Sequence, residues 1–322
     1  VGGPDRGYDF SVTVDLAGRN HTLVCELKEN GQPRYVRHSI SKLRSIAALA
    51  GGTLTPVVIA PYLSKETQSF CRDNKVAYLD LEGNAWLTFD TVFIERIVPP
   101  RPAVEKRELR SLFKPKSAAV LRVMLREPAR AWKVAELAQA ADVSLGHVSN
   151  VRKALQDREW GQVSDEGIFL LKPAHLLEAW RQAYEPEGEI LRFYTPLHGQ
   201  AMEEQIVTAL VLSKNGLYAA LASFSAAKWL APFGRTSTHF FVADHLGVEQ
   251  LVDGLGLKSV SSGENVRISV PHDTGILQDT IEPAPGIYCT SPVQTYLDLS
   301  TAGERGREAA DHLKEEMLTW QE

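Results

Sequence analysis

Two groups of residues have types and spacings suited to recognition or chemistry. Between residues 144 and 157, Leu145, Val148, Val151 and Leu155 recur at helical spacing, so one side of a helix is apolar and has to pack. His147, Ser149, Asn150 and Lys153 are left facing away, with Gly146 among them and Arg152 on the flank. Such a face suits nucleic acid, because Asn pairs with an adenine edge and Lys or Arg with guanine or phosphate. It is light in charge for that task, and the competing reading of the same helix is protein contact. The second group is Asp9, Glu26 and Lys28. Glu26 and Lys28 stand two apart on an expected strand and share a face. With a turn centred between Gly18 and Arg19, Ser11 falls opposite Glu26 and Asp9 opposite Lys28, while Asp15 keeps the parity one step from the turn. Two carboxylates and a lysine on one sheet face would hold Mg²⁺ and orient a water for phosphodiester cleavage. The plain alternative is the polar face of an antiparallel sheet.

The elements around the first group have a recognisable order. Residues 117–127 read as a helix on Ala118, Val120, Leu121, Met124 and Leu125, closed by Pro128. A short helix follows over 133–140, then a turn at Ala141, Asp142 and Val143. Ser144 caps the third helix, and strands over 160–163 and 167–171 flank a tip at Ser164, Asp165 and Glu166. Three helices and a hairpin in this order predict a winged helix-turn-helix over about 117–172, with the third helix in a major groove. Charge supports the placement. Residues 101–172 carry 14 basic and 9 acidic side chains, against 11 of each in 1–100 and 10 against 20 in 173–322. Lys114 and Lys116, in the dense basic run before the first helix, and Lys133, at the start of the second, are candidates for phosphate contact.

The second group lies in an α/β segment. Alternating residues from Phe10 and from Thr22 predict a hairpin. A helix near 35–50, a buried strand over 56–60, a helix capped by Ser64 and a strand over 76–81 follow, and this order suggests parallel pairing. Pro99, Pro100 and Pro102 then predict a stiff linker. From about 174 the chain is α/β again, with helices near 173–184, 202–211, 223–229 and 301–319 and strands near 238–243, 266–270 and 286–289. The fold class is therefore α/β multidomain, with domains over 1–100, 101–172 and 173–322.

Composition narrows the classes further. A net charge of -5 argues against a general nucleic-acid coat. No apolar run is long enough for a membrane span, and the first residues lack a leader pattern. Cys25, Cys71 and Cys289 are scattered thiols, which suits a reducing cytoplasm and makes no metal cluster. His239, His245, His272 and Asp273 have no ligand spacing and read as surface or core residues.

Two resemblances extend this reading. Residues 9–98, with Asp9, Glu26-Leu27-Lys28 and the run from Tyr78 to Asn84, resemble restriction-endonuclease-like domains, in which an Asp and a Glu-x-Lys on a hairpin form the metal site. The chain departs from that pattern by offering Lys42 where many active relatives carry a Gln, and it has no counterpart of the acidic residue on a preceding helix. The C-terminal region is similar to AbiEi-type antitoxins, the transcriptional regulators of type IV toxin–antitoxin systems. The similarity lies in 218–232, in Asp253-Gly254-Leu255-Gly256-Leu257 and above all in 291–299. The resemblance implies a sequence-specific DNA-binding regulator and antitoxin that needs no cofactor and no enzymatic activity. Its partners would be double-stranded DNA and a toxin or second subunit met through the acidic C-terminal domain, with no membrane. The alternative is a metal-dependent nuclease aimed by the winged helix, with Asp9, Glu26 and Lys28 as its site and Mg²⁺ held by Asp9 and Glu26.

Overall fold

A computed structural model describes residues 7–16, 18–50, 54–98, 103–212, 218–234 and 236–320. It is a mixed α/β chain that separates into two compact units. One comprises Val1–Glu108 with Arg152–Gln162, the other Leu109–Val151 with Val163–Glu322. The division falls within the middle segment. Pro99, Pro100, Arg101 and Pro102, expected to form a linker, lie outside the described residues.

In the first unit, β1 (Phe10–Leu16) and β2 (Arg19–Leu27) form a hairpin, followed by α1 (Pro33–Leu49), β3 (Leu54–Ala60), α2 (Lys65–Asp73), β4 (Ala77–Asp80), β5 (Ala85–Phe89) and β6 (Val92–Arg96). The six strands lie in chain order. β2, β3 and β4 are parallel, as each helix crossover requires, and the outer pairings are antiparallel. Ser64 caps α2 by accepting from the Thr67 amide. Val36, Ile40 and Leu43 of α1 bury against Val24, Val58 and Tyr78 of the sheet. The hairpin register differs from expectation. Leu16 pairs with Arg19 and Phe10 with Cys25, so Ser11 faces Val24 and not Glu26. The turn is centred one residue earlier than read from the sequence, which slides every partner by two and leaves the faces unchanged.

The middle segment runs α3 (Ala103–Leu112), α4 (Pro115–Arg126), α5 (Val134–Ala140), α6 (Leu145–Asp157), β7 (Gly161–Ser164) and β8 (Gly167–Leu170). Asp142 takes the left-handed conformation between α5 and α6, φ 50°, which Asp tolerates better than most side chains. The Val143 amide then returns to the Ala138 carbonyl. Leu145 corrects the expected apolar stripe. It is 57% exposed, because it starts the helix one turn above the packed residues Val148, Val151 and Leu155.

The remainder runs α7 (Pro173–Ala183), β9 (Glu189–Tyr194), α8 (Gly199–Leu212), β10 (Ala219–Leu221), α9 (Ser223–Leu230), β11 (His239–Ala243), α10 (His245–Leu255), β12 (Lys258–Ser259), β13 (Val266–Val270), α11 (Gly275–Gln278), β14 (Thr280–Ala284), β15 (Ile287–Thr290), α12 (Pro292–Ser300) and α13 (Gly303–Met317). The sheet order is β12-β9-β13-β11-β10-β15-β14. Its core joins Phe241, Val266, Ile268, Leu221 and Cys289 of the strands to Met202, Ile206 and Leu210 of α8 and Leu251 and Leu255 of α10.

One glycine decides how the β7–β8 hairpin is held. Trp132 and Ile168 exchange backbone hydrogen bonds of 2.8 and 2.9 Å, which adds Trp132 beside β8. Gly167 precedes that bridge at φ 142°, and a Cβ there would stand 2.3 Å from the Trp132 carbonyl oxygen. Gly167→Ala should therefore cost roughly 2 kcal/mol or more, from backbone strain plus the clash. Thermal denaturation of the variant checks this, and a melting temperature equal to that of the parent would contradict it.

Candidate nucleic-acid interface

A helix of 13 residues packed on one side leaves the other to solvent. On α6, Val148, Val151 and Leu155 are at most 2% exposed, while His147, Ser149, Asn150, Arg152 and Lys153 are all exposed. The sequence placed these side chains on the open face, and they stand there. The N-terminus is capped by Ser144, whose hydroxyl accepts from the His147 amide at 3.4 Å and meets His147 Nδ1 at 2.9 Å. Ser149 is occupied locally, donating to the Leu145 carbonyl at 3.0 Å. Asn150, Arg152 and Lys153 make no side-chain hydrogen bond or ion pair among the described residues. Lys133 stands at the N-cap of α5 and Lys114 at the N-cap of α4, with Lys116 in its first turn. All three are exposed and unpaired among the described residues.

The far end of α6 is fixed by charge. Asp157 accepts from the Tyr35 hydroxyl at 3.0 Å and pairs with Arg34 at 3.5 Å, and Glu159 pairs with Arg37 on α1. The Glu159 carboxylate raises the Arg37 guanidinium above its ordinary range. Arg158 pairs with Glu108 at 3.1 Å. The end of the helix is thereby held to α1 by residues outside its exposed face.

The residues of the β1–β2 hairpin also gather, though differently from the expected site. Lys28 Nζ lies 3.0 Å from Glu26 Oε1, and the Ser39 hydroxyl donates to the same oxygen at 3.4 Å. Asp9 accepts the Leu27 amide at 2.6 Å. Ser39 is an α1 residue that reaches Glu26. Each carboxylate is already engaged within the chain. Among the described residues no group of three or more His, Cys, Asp or Glu could hold a metal ion. This set does not fit the Mg²⁺ of the nuclease alternative, which needs several free oxygens in near-octahedral order. Asp80, in the run that carried the nuclease resemblance, braces a turn. It accepts from the Asn84 amide and side chain and from the Leu63 amide.

A buried polar cluster escaped the sequence reading. On α4, Arg122 is 6% exposed amid Ala118, Leu121 and Leu125. Its Nε lies 3.5 Å from Asp279, which also binds Arg126, and its Nη1 donates to Gln294 Oε1 at 3.4 Å. Gln294 Nε2 donates to Asp298 at 2.9 Å, and the Tyr184 hydroxyl donates to the same carboxylate at 2.6 Å. An arginine inside the apolar stripe of 118–125 was the available signal. Burial pushes the Arg122 guanidinium down, opposed by Asp279. Burial also lifts Asp298 from 3.8 to about 6, against Tyr184, Gln294 and Arg122.

That shift fixes a pH dependence. The folded chain holds the Asp298 proton more tightly than the unfolded chain. Stability contributed by the neutral carboxyl is thus complete below about pH 4 and lost as pH rises to about 6, by at most about 3 kcal/mol. Asp298→Asn keeps the acceptor for Tyr184 and Gln294 without the charge. Denaturant titration should find it more stable than the parent near pH 8, the gap closing near pH 4. A variant less stable than the parent near pH 8 would contradict the assignment.

No curated protein and no solved structure matches the chain. Residues 169–319, just under half of its length, match the family model described as "Transcriptional regulator, AbiEi antitoxin, Type IV TA system", in agreement with a C-terminal module of AbiEi type.

Proposed function

We propose that the chain is a sequence-specific DNA-binding transcriptional regulator of AbiEi type, serving as the antitoxin of a type IV pair in the cytoplasm. In this reading α4, α5, α6 and the β7–β8 hairpin form a winged helix-turn-helix, and α6 enters the major groove. The observation that carries it is the open face of α6, with Asn150, Arg152 and Lys153 unengaged, in a chain whose C-terminal half matches a regulator family. Asn150 reads an adenine edge, and His147 and Ser149 border it. Arg152, Lys153, Lys133, Lys114 and Lys116 hold phosphates and fix the register. The acidic C-terminal domain, with 20 acidic and 10 basic residues over 173–322, engages the toxin. The N-terminal domain is a restriction-endonuclease-like scaffold whose Glu26–Lys28 pair serves the sheet.

The test separates readout from attraction. The preferred duplex is first selected from a random pool with the full chain. Asn150→Ala should then cost roughly 1–3 kcal/mol on that duplex and much less on random DNA at the same salt. The double variant Lys114→Ala and Lys116→Ala should weaken both and flatten the dependence on salt. Equal losses on both duplexes for Asn150→Ala would sink the assignment of α6.

A further inference from the structure

A cavity of about 400 Å³ opens beside the Arg122 cluster, inside the C-terminal unit. That volume lies in the range of small-molecule sites, and the lining is mostly apolar, as in such sites. Phe113 and Trp180 stack along one wall, ring centroids 5.4 Å apart and planes nearly parallel at 3°. Phe240, Phe241 and Ile276 line it further. The cavity is flat-sided, aromatic and large enough for a fused two-ring body.

The polar groups choose the charge of its occupant. Arg122 lines the cavity while almost wholly buried, and of the five donors of a guanidinium the protein engages one, in a long bond to Gln294. Its counter-charge Asp279 is shared with Arg126, so two guanidinium groups divide one carboxylate. Asp279 lies behind the lining, and of the four carboxylates in it three have partners already, while the fourth, Glu187, is exposed to solvent. Asp298 receives Tyr184 and Gln294, Asp273 accepts the Gly275 amide, and Glu185 pairs with Arg110. Lys114, also in the lining, makes no ion pair among the described residues. A monoanion matches one under-engaged guanidinium in an apolar cavity. A dianion such as phosphate would bring a second charge with no buried partner.

We infer that this cavity binds a small molecule with a flat aromatic body and one carboxylate, the carboxylate meeting Arg122. Both Arg122 and Ala118, another lining residue, belong to α4. An occupant therefore touches the first helix of the DNA-binding segment, and its effector role rests on the reading proposed above.

Calorimetry on the full chain, with naphthoate as the probe, tests the site whether or not that reading holds. Saturable binding is expected with a Kd below about 1 mM, and at least about tenfold weaker for the neutral naphthamide. Arg122→Lys keeps the charge but loses the planar fork, and should also cost about tenfold or more. Ala183→Trp fills the cavity from the end of α7 without touching Arg122. It should abolish binding while the melting temperature is retained. No saturable binding by the parent, equal affinity for naphthamide, or full binding by both variants would overturn the site. Saturating naphthoate should change affinity for the preferred duplex by about fivefold or more. An unchanged DNA affinity with naphthoate bound would overturn the effector role. Failure of the unliganded chain to bind any duplex would instead count against the DNA-binding reading and leave the calorimetric result standing.

Discussion

A short helix between two turns is stable only when one side is removed from water, and α6 meets that requirement with Val148, Val151 and Leu155. Burial of these residues fixes the rotation of the helix about its axis. The rotation in turn commits His147, Asn150 and Lys153 to solvent, where Asn150 and Lys153 have no side-chain partner among the described residues. The local devices serve the same end. Ser144 caps the N-terminus, Asp142 accepts the left-handed turn, and Asp157 and Glu159 hold the last turn to α1. The helix is thus held by residues that leave Asn150, Arg152 and Lys153 exposed.

The buried charges work by a different rule. Arg122, Asp279 and Asp298 lie where ionised groups are costly, and partial pairing within the cluster offsets the cost. Such clusters tie elements together more strictly than apolar contact does, because a displaced partner leaves a charge unmatched. Arg122 joins α4 to Gln294 on α12 and to Asp279 after α11, so the position of α4 depends on the C-terminal module. That dependence gives a physical route from an occupant of the neighbouring cavity to the helical segment.

Periodicity made part of this legible. The three middle helices, the β7–β8 hairpin, the parallel β2–β3–β4 core and the open residues of α6 follow from spacing and turn chemistry. The hairpin register did not, because turns centred one residue apart look alike in sequence, while the partners differ by two positions. Leu145 shared the helical spacing of its stripe yet lies above the packed layer, a tertiary fact that no period contains. The helix α12 was hidden for the opposite reason. Val293, Gln294, Thr295, Tyr296, Leu297 and Leu299 are all buried, so no polar side marks the turn of the helix. Strand β9, with Glu189 and Arg192 and exposed at most positions, and the three-residue strand β10 carry too little pattern to stand out. Of the Asp9, Glu26 and Lys28 grouping, Glu26 and Lys28 meet at 3.0 Å, while Asp9 turns to the backbone. These pairings, above all the Asp9 bond to the Leu27 amide, could be seen only with the backbone in place.

The central claim is that the open face of α6 touches DNA, and proximity tests it most directly. A photoreactive side chain is placed at Ser149 in one variant and at Leu49, exposed on α1, in another. Each is irradiated with labelled duplex carrying the preferred sequence. The account predicts crosslinks from position 149 that unlabelled preferred duplex removes and random duplex does not, with none from position 49. Crosslinks from position 49 and none from position 149 would contradict it.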